Sequence, residues 1–113
     1  MRIVGVGIDL AKISRYEGQK ELAKRVLSES EYQEYLHSHD QASFLASRFA
    51  VKESYVKASG DKQVDYRCLE IREDETGKPS LYLNGLPTKS FVSLTHDEEA
   101  GAIVILYEED CNK

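Results

Sequence analysis

The sequence has no apolar run approaching the ~20 residues of a membrane-spanning helix, so no membrane span is expected. It has only two cysteines, Cys68 and Cys111, which lack metal-site spacing and form no disulfide framework. A reduced, cytoplasmic protein is the expectation. Positive charge is scarce: the net charge is −5, which argues against a general nucleic-acid binder. There is no internal repeat and no low-complexity segment. The opening "MRIVGVGIDL" does not read as a secretory signal, because its apolar run is short, glycine-broken and ends in Asp9.

What is present suits one compact domain spanning residues 1–113, with a core modest enough that oligomerisation would help it. Charge is uneven along it. Residues 1–27 carry Arg2, Lys12, Arg15, Lys20, Lys24 and Arg25 against Asp9, Glu17 and Glu21. A basic segment on an acidic protein suits an acidic partner, and equally a solvated helix face.

The order of patterns predicts an α+β fold: one N-terminal strand, about three helices, then about four mostly antiparallel strands. "RIVGVGI" alternates and reads as a strand, with Asp9 at its C-terminal edge. Residues 12–26 read as a helix burying Ile13, Tyr16, Leu22 and Val26, with Gly18 as a weak spot. Ser28 and Glu31 form a capping box ahead of a second helix. Asp40 and Gly60 are the expected caps of a third. Residues 68–72 and 80–83 read as a hairpin, Asn84-Gly85 as a turn, and "SFVSLTH" and "GAIVILY" as two further strands. The tail "EEDCNK" is expected to fray.

The third helix, "FLASRFAVKESYVKASG", is unusual. Its apolar and small residues cover most of its circumference, and only Ser47 and Ser54 make a polar strip. Glu53 and Lys57 share a face with Ala46 and Ala50, while Arg48 and Lys52 form a second charged row. Glu53 and Lys57 could be an ordinary i,i+4 pair. The missing polar face instead predicts a helix buried on several sides, against a second subunit as well. Buried charges there need partners or a function. Asp9 and Glu53 are hard oxygen donors of the kind Mg²⁺ takes, and Lys57 and Arg48 would suit phosphate groups. His37 and His39 read as exposed loop residues. His96 reads as a strand-end histidine packed on the core, Cys68 as buried, and Tyr32, Tyr35 and Tyr66 as packing residues.

Three segments carry a resemblance. "GVGIDLAKISR", "FLASRFAVKESYVKASG" and "SLTHDEEAGAIVIL" are similar, in this order, to the signatures of the holo-[acyl-carrier-protein] synthases, small bacterial 4′-phosphopantetheinyl transferases. "LEIREDETGKPSL" resembles that family's Gly-Lys-Pro turn. The resemblance implies transfer of 4′-phosphopantetheine from coenzyme A to a serine of apo-acyl-carrier protein. The products are 3′,5′-ADP and the holo carrier of fatty acid biosynthesis. It implies Mg²⁺ as cofactor, coenzyme A as substrate, and a homotrimer with sites between subunits.

By position, Asp9 and Glu53 match metal ligands, and Glu53 and Lys57 the catalytic pair. Arg48, Lys57, Ser93, Thr95 and His96 match coenzyme A contacts. Arg15 and Arg25 match carrier-protein contacts, with Lys20, Leu22 and Lys24 beside them. Glu53 is the leading proton acceptor for the carrier serine, directly or through water. Two places depart from the family pattern. Gly60 leads into Asp61-Lys62-Gln63-Val64 rather than a glycine-rich loop, and His37-Ser38-His39 stands where basic residues are common. A non-catalytic carrier-protein binder and a different Mg²⁺-dependent phosphoester enzyme are the competing expectations.

Overall fold

The computed structural model describes residues 1–110. Cys111, and with it the end of the tail expected to fray, lies outside the described residues. The order is β1 (Arg2–Lys12), a 3₁₀ turn (Ile13–Tyr16), α1 (Lys20–Val26), α2 (Glu29–His37), α3 (Gln41–Ser59) and a second 3₁₀ turn (Tyr66–Cys68). Then come β2 (Leu69–Glu73), β3 (Pro79–Leu83), β4 (Leu86–Pro87), β5 (Ser90–His96) and β6 (Glu99–Glu108). Two antiparallel sheets result, ordered β1-β6-β5 and β2-β3-β4. The α+β architecture is as expected, with the two-residue β4 added after the Asn84-Gly85 turn.

The helix expected over residues 12–26 does not form as one piece. β6 starts at Glu99 and pairs with Lys12, so the ladder carries β1 past Asp9 to its end there. Gly18, at φ +66°, then stands between the 3₁₀ turn and α1. Asp9 therefore sits inside the strand, opposite Ala102, and not after it. Of the four residues expected to be buried, Val26 is, while Ile13, Tyr16 and Leu22 are half-buried. β2 begins one residue later than expected, and Cys68 is half-buried in the turn before it.

α3 is the axis of the molecule, and its position follows from small residues on β1. A Cβ added to Gly5 would stand 2.0 Å from the Ala58 carbonyl oxygen, and one on Gly7 would stand 1.9 Å from that of Ser54. Two strand residues advance about as far as four helical ones, so the antiparallel seam stays in step. Ala11, Ala46 and Ala50 continue it within one buried core. The alanines of α3 thus face the chain's own strand. Ser54 is fully buried as well, its hydroxyl donating to the Ala50 and Ala102 carbonyls, and Ser47 is buried too. No polar strip exists, and the chain's own elements bury α3. The apolar surface left outside is elsewhere: Val4, Val6, Ile8 and Leu10 on β1 and Phe91 on β5 are exposed.

On its other side α3 is held by Lys52, which is fully buried. Its ammonium donates to Glu31 Oε1 at 2.6 Å, to the Val26 carbonyl at 2.7 Å and to the Tyr66 carbonyl at 2.9 Å. Glu31, equally buried, also accepts from the backbone N–H of Ser28 and of Ile71. The capping box of α2 is present as expected, and so are the Asp40 and Gly60 caps of α3. Burial pushes the Lys52 amine down, against the opposing pull of Glu31. Nearby, burial would raise the Glu70 carboxyl. Hydrogen bonds from Ser28, Ser30 and Arg72 outweigh this and hold it at about 2.

Two outcomes follow. Lys52→Met leaves Glu31 buried without its counter-charge and lowers the unfolding free energy by ~3–5 kcal/mol in urea denaturation. A loss under ~1 kcal/mol would mean that Glu31 is not held as an anion. Glu70 stabilises the fold fully above its ordinary value of 4.5, and this contribution is lost as pH falls toward 2. Glu70→Gln therefore loses less stability than the parent chain across that window, measured by urea denaturation at stepped pH. Equal losses would contradict the assignment.

Candidate active site

The seam that places α3 on β1 also sets the site. Gly5 and Gly7 are followed on the same strand face by Asp9, the first residue there with a reactive side chain. Lys57, in the last turn of α3, donates to Asp9 Oδ1 and to the Ile8 carbonyl, both at 3.0 Å. Glu53, one turn earlier, is half-buried and accepts from the Tyr66 hydroxyl. Glu53 and Lys57 thus turn to different partners, and the ordinary i,i+4 pair does not form.

The two carboxylates act on the same surroundings. Burial, then Asp9 and Glu53, raise the Tyr16 hydroxyl. Burial, then its bond to Glu53, then the charges of Glu53 and Asp9, raise that of Tyr66. The rings of Tyr16, Phe49 and Tyr66 form a wall beside them, with successive centroids 5.9 Å apart. Tyr66 is more than the packing residue expected. Its ring packs, but its hydroxyl reaches a charged group, and nothing in its local sequence signals this.

The donor set fits Mg²⁺. Asp9 Oδ2 and Glu53 Oε1 are left without a hydrogen-bond donor among the described residues. Among the described residues no third carboxylate, histidine or cysteine joins them to make a three-residue metal cluster. Two hard oxygen ligands suit a cation that completes its shell with water and phosphate oxygens, and they make no cage for a softer metal.

The other candidates are dispersed. Arg48 is buried on another side of α3, its guanidinium 4.3 Å above the Phe44 ring and its Nε without a partner among the described residues. It lines a groove with Glu34, Glu70 and Arg72. Ser93 and Thr95 are exposed on the outer face of β5, near Ile8 and Leu10. His96 is exposed at the end of β5 and is not packed on the core. His37 and His39 are exposed as expected. Arg15, Lys20, Lys24 and Arg25 are exposed around α1 and the turn before it, while Leu22 is partly spent on the core beneath. One chain therefore brings together Asp9, Glu53 and Lys57 but not the coenzyme A set.

No helix among the described residues is long and apolar enough to cross a membrane. Residues 5–106 match the family model of the 4′-phosphopantetheinyl transferase superfamily. The chain is 38% identical to the holo-[acyl-carrier-protein] synthase of Staphylococcus carnosus, over 95% of this chain and 98% of that one. It is 35% identical to the holo-[acyl-carrier-protein] synthase of Bacillus subtilis, over 94% and 96% respectively. A solved holo-(acyl-carrier-protein) synthase from Bacillus anthracis, in complex with CoA (3′,5′-ADP), superposes with a TM-score of 0.80 at 35% identity. It covers 94% of this chain and 97% of that one. With α+β elements in this order and Asp9, Lys57 and Glu53 around one seam, the chain belongs to the holo-[acyl-carrier-protein] synthases of the 4′-phosphopantetheinyl transferase superfamily.

Proposed function

We propose that this chain, acting as one domain, transfers 4′-phosphopantetheine from coenzyme A to a serine of apo-acyl-carrier protein in fatty acid biosynthesis, with Mg²⁺, in the cytoplasm. The observation that carries it is the Lys57–Asp9 ion pair across the α3–β1 seam, with Glu53 one helical turn before Lys57. The Bacillus anthracis relative, solved with CoA (3′,5′-ADP), supports coenzyme A as the donor.

In the reaction, the serine Oγ attacks the phosphorus next to pantetheine, and the bond from that phosphorus to 3′,5′-ADP breaks. Asp9 and Glu53 would hold Mg²⁺, which when bound polarises the diphosphate as a Lewis acid. Lys57 places its positive charge beside the diphosphate, where negative charge grows on the leaving group. Glu53 accepts the serine proton. Arg48, Ser93, Thr95 and His96 take the nucleotide end of coenzyme A. Arg15, Lys20, Leu22, Lys24 and Arg25 receive the acidic carrier protein.

A homotrimer with sites between subunits belongs to the proposal. Two observations support it: the exposed apolar face of β1, and the placement of Arg48 in one groove and of the outward Ser93 and Thr95 in another. Leu10→Asp, on that face, converts the assembly to monomers in light scattering. A folded variant with unchanged mass would exclude this face as the interface.

The reaction itself is tested by incubating the chain with coenzyme A, Mg²⁺ and apo-acyl-carrier protein and weighing the carrier by mass spectrometry. The carrier gains one phosphopantetheine group, and Glu53→Ala abolishes the gain while carrier affinity is kept. Carrier binding with no gain, from folded protein, would leave a non-catalytic binder. Breakdown of coenzyme A without any carrier would favour a different phosphoester enzyme.

A further inference from the structure

Tyr66 is held at both ends by two consecutive residues of α3. Lys52 Nζ donates to its backbone carbonyl at 2.9 Å, and its side-chain hydroxyl donates to Oε2 of Glu53. The turn that carries it is itself pinned. Asp65 accepts from the Arg67 N–H at 2.9 Å through its side chain, and from the Cys68 N–H at 2.9 Å through its backbone carbonyl. The ring cannot swing freely, because Phe49 lies against it with centroids 5.9 Å apart. A glutamate side chain has three rotatable bonds, and a half-exposed one samples several rotamers. A rigidly mounted donor on one carboxylate oxygen removes that freedom without removing the charge.

We infer that Tyr66 is a positioning residue for the candidate metal site: by engaging Glu53 Oε2 it would leave Oε1 held ready for a divalent cation. This rests on the reading of Glu53 as a metal ligand. Outer partners of this kind orient metal-binding carboxylates, and their loss typically weakens metal binding 10–100-fold. The hydroxyl is the only part of Tyr66 that the role needs. Ring packing and the carbonyl bond to Lys52 survive in Tyr66→Phe, so the variant isolates it.

The experiment titrates Mn²⁺ into the full-length chain with saturating coenzyme A and follows free Mn²⁺ by electron paramagnetic resonance. Tyr66→Phe raises the Kd for Mn²⁺ by ~10-fold while its melting temperature stays at the parent value. The Mg²⁺ concentration for half-maximal activity rises by a similar factor. The KM for apo-carrier protein stays unchanged. Glu53→Ala loses Mn²⁺ binding. If Tyr66→Phe binds Mn²⁺ like the parent while Glu53→Ala does not, the inference is overturned and the metal reading stands. A lowered melting temperature with unchanged Mn²⁺ affinity overturns it in the same way, by reducing Tyr66 to a packing residue. If Glu53→Ala binds Mn²⁺ like the parent, the metal reading fails and takes the inference with it.

Discussion

Lys52 has three N–H bonds, and three different segments supply the acceptors: the end of α1 through Val26, α2 through Glu31, and the second 3₁₀ turn through Tyr66. An ammonium has no other way to be buried, since each unmade bond would leave a charged donor dry. Glu31 extends the same network to the start of β2 through Ile71. Four segments on one side of α3 thus depend on a single ion pair. Such a pair contributes little net stability against an apolar replacement, but it is unforgiving about arrangement. Only one placement of α1, α2 and the second turn satisfies every donor and acceptor at once.

The opposite side of α3 is organised by absence. Gly5 and Gly7 leave no side chain between strand and helix, and Ser54 spends its hydroxyl on carbonyls of the helix and of β6. The helix axis is drawn close enough that Lys57 reaches Asp9 across the seam. The ion pair and the glycine seam together fix α3 in rotation and height. Glu53 lies between them, next in sequence to Lys52 and one turn before Lys57. Its place on the backbone is therefore a consequence of these two constraints, while Tyr66 holds its carboxylate.

Local signals were readable where the partner was local. Ser28 and Glu31 are three residues apart, so their capping box was evident in the sequence, as were the caps Asp40 and Gly60. The same Glu31 also binds Lys52 and Ile71, and no spacing rule connects residues that far apart. The end of β1 was misplaced for a related reason. A strand stops where its neighbour stops, and β6 runs back to Glu99. Ser47 and Ser54 looked like a solvent strip because serine is polar, yet a hydroxyl satisfied by carbonyls is readily buried. Glu53 and Lys57 were singled out together, and their four-residue spacing suggested a pair. Stronger partners, Tyr66 and Asp9, take them instead. The burial of α3 was also foreseen, and credited in part to a second subunit; within one copy β1 and β6 on one side and α1, α2 and the second 3₁₀ turn on the other already bury it.

The proposed assembly would use a different surface. Side chains alternate along β5, so Val92 and Leu94 pack into the core while Ser93 and Thr95 point outward. α3 lies on the inner face of that sheet, with Asp9, Glu53 and Lys57. Within one copy the sheet stands between Glu53 and Lys57 on one side and the outer hydroxyls on the other, although Asp9 borders the same groove as Ser93 and Thr95, so a ligand does not readily touch both sets. It can do so where the outer face of one copy meets the α3 edge of another. The exposed Val6, Ile8 and Leu10 lie on that same outer face. The apolar surface that would join copies and the hydroxyls that would reach a neighbour's ligand are therefore one surface. Alternation along β1 and β5 alone puts them there.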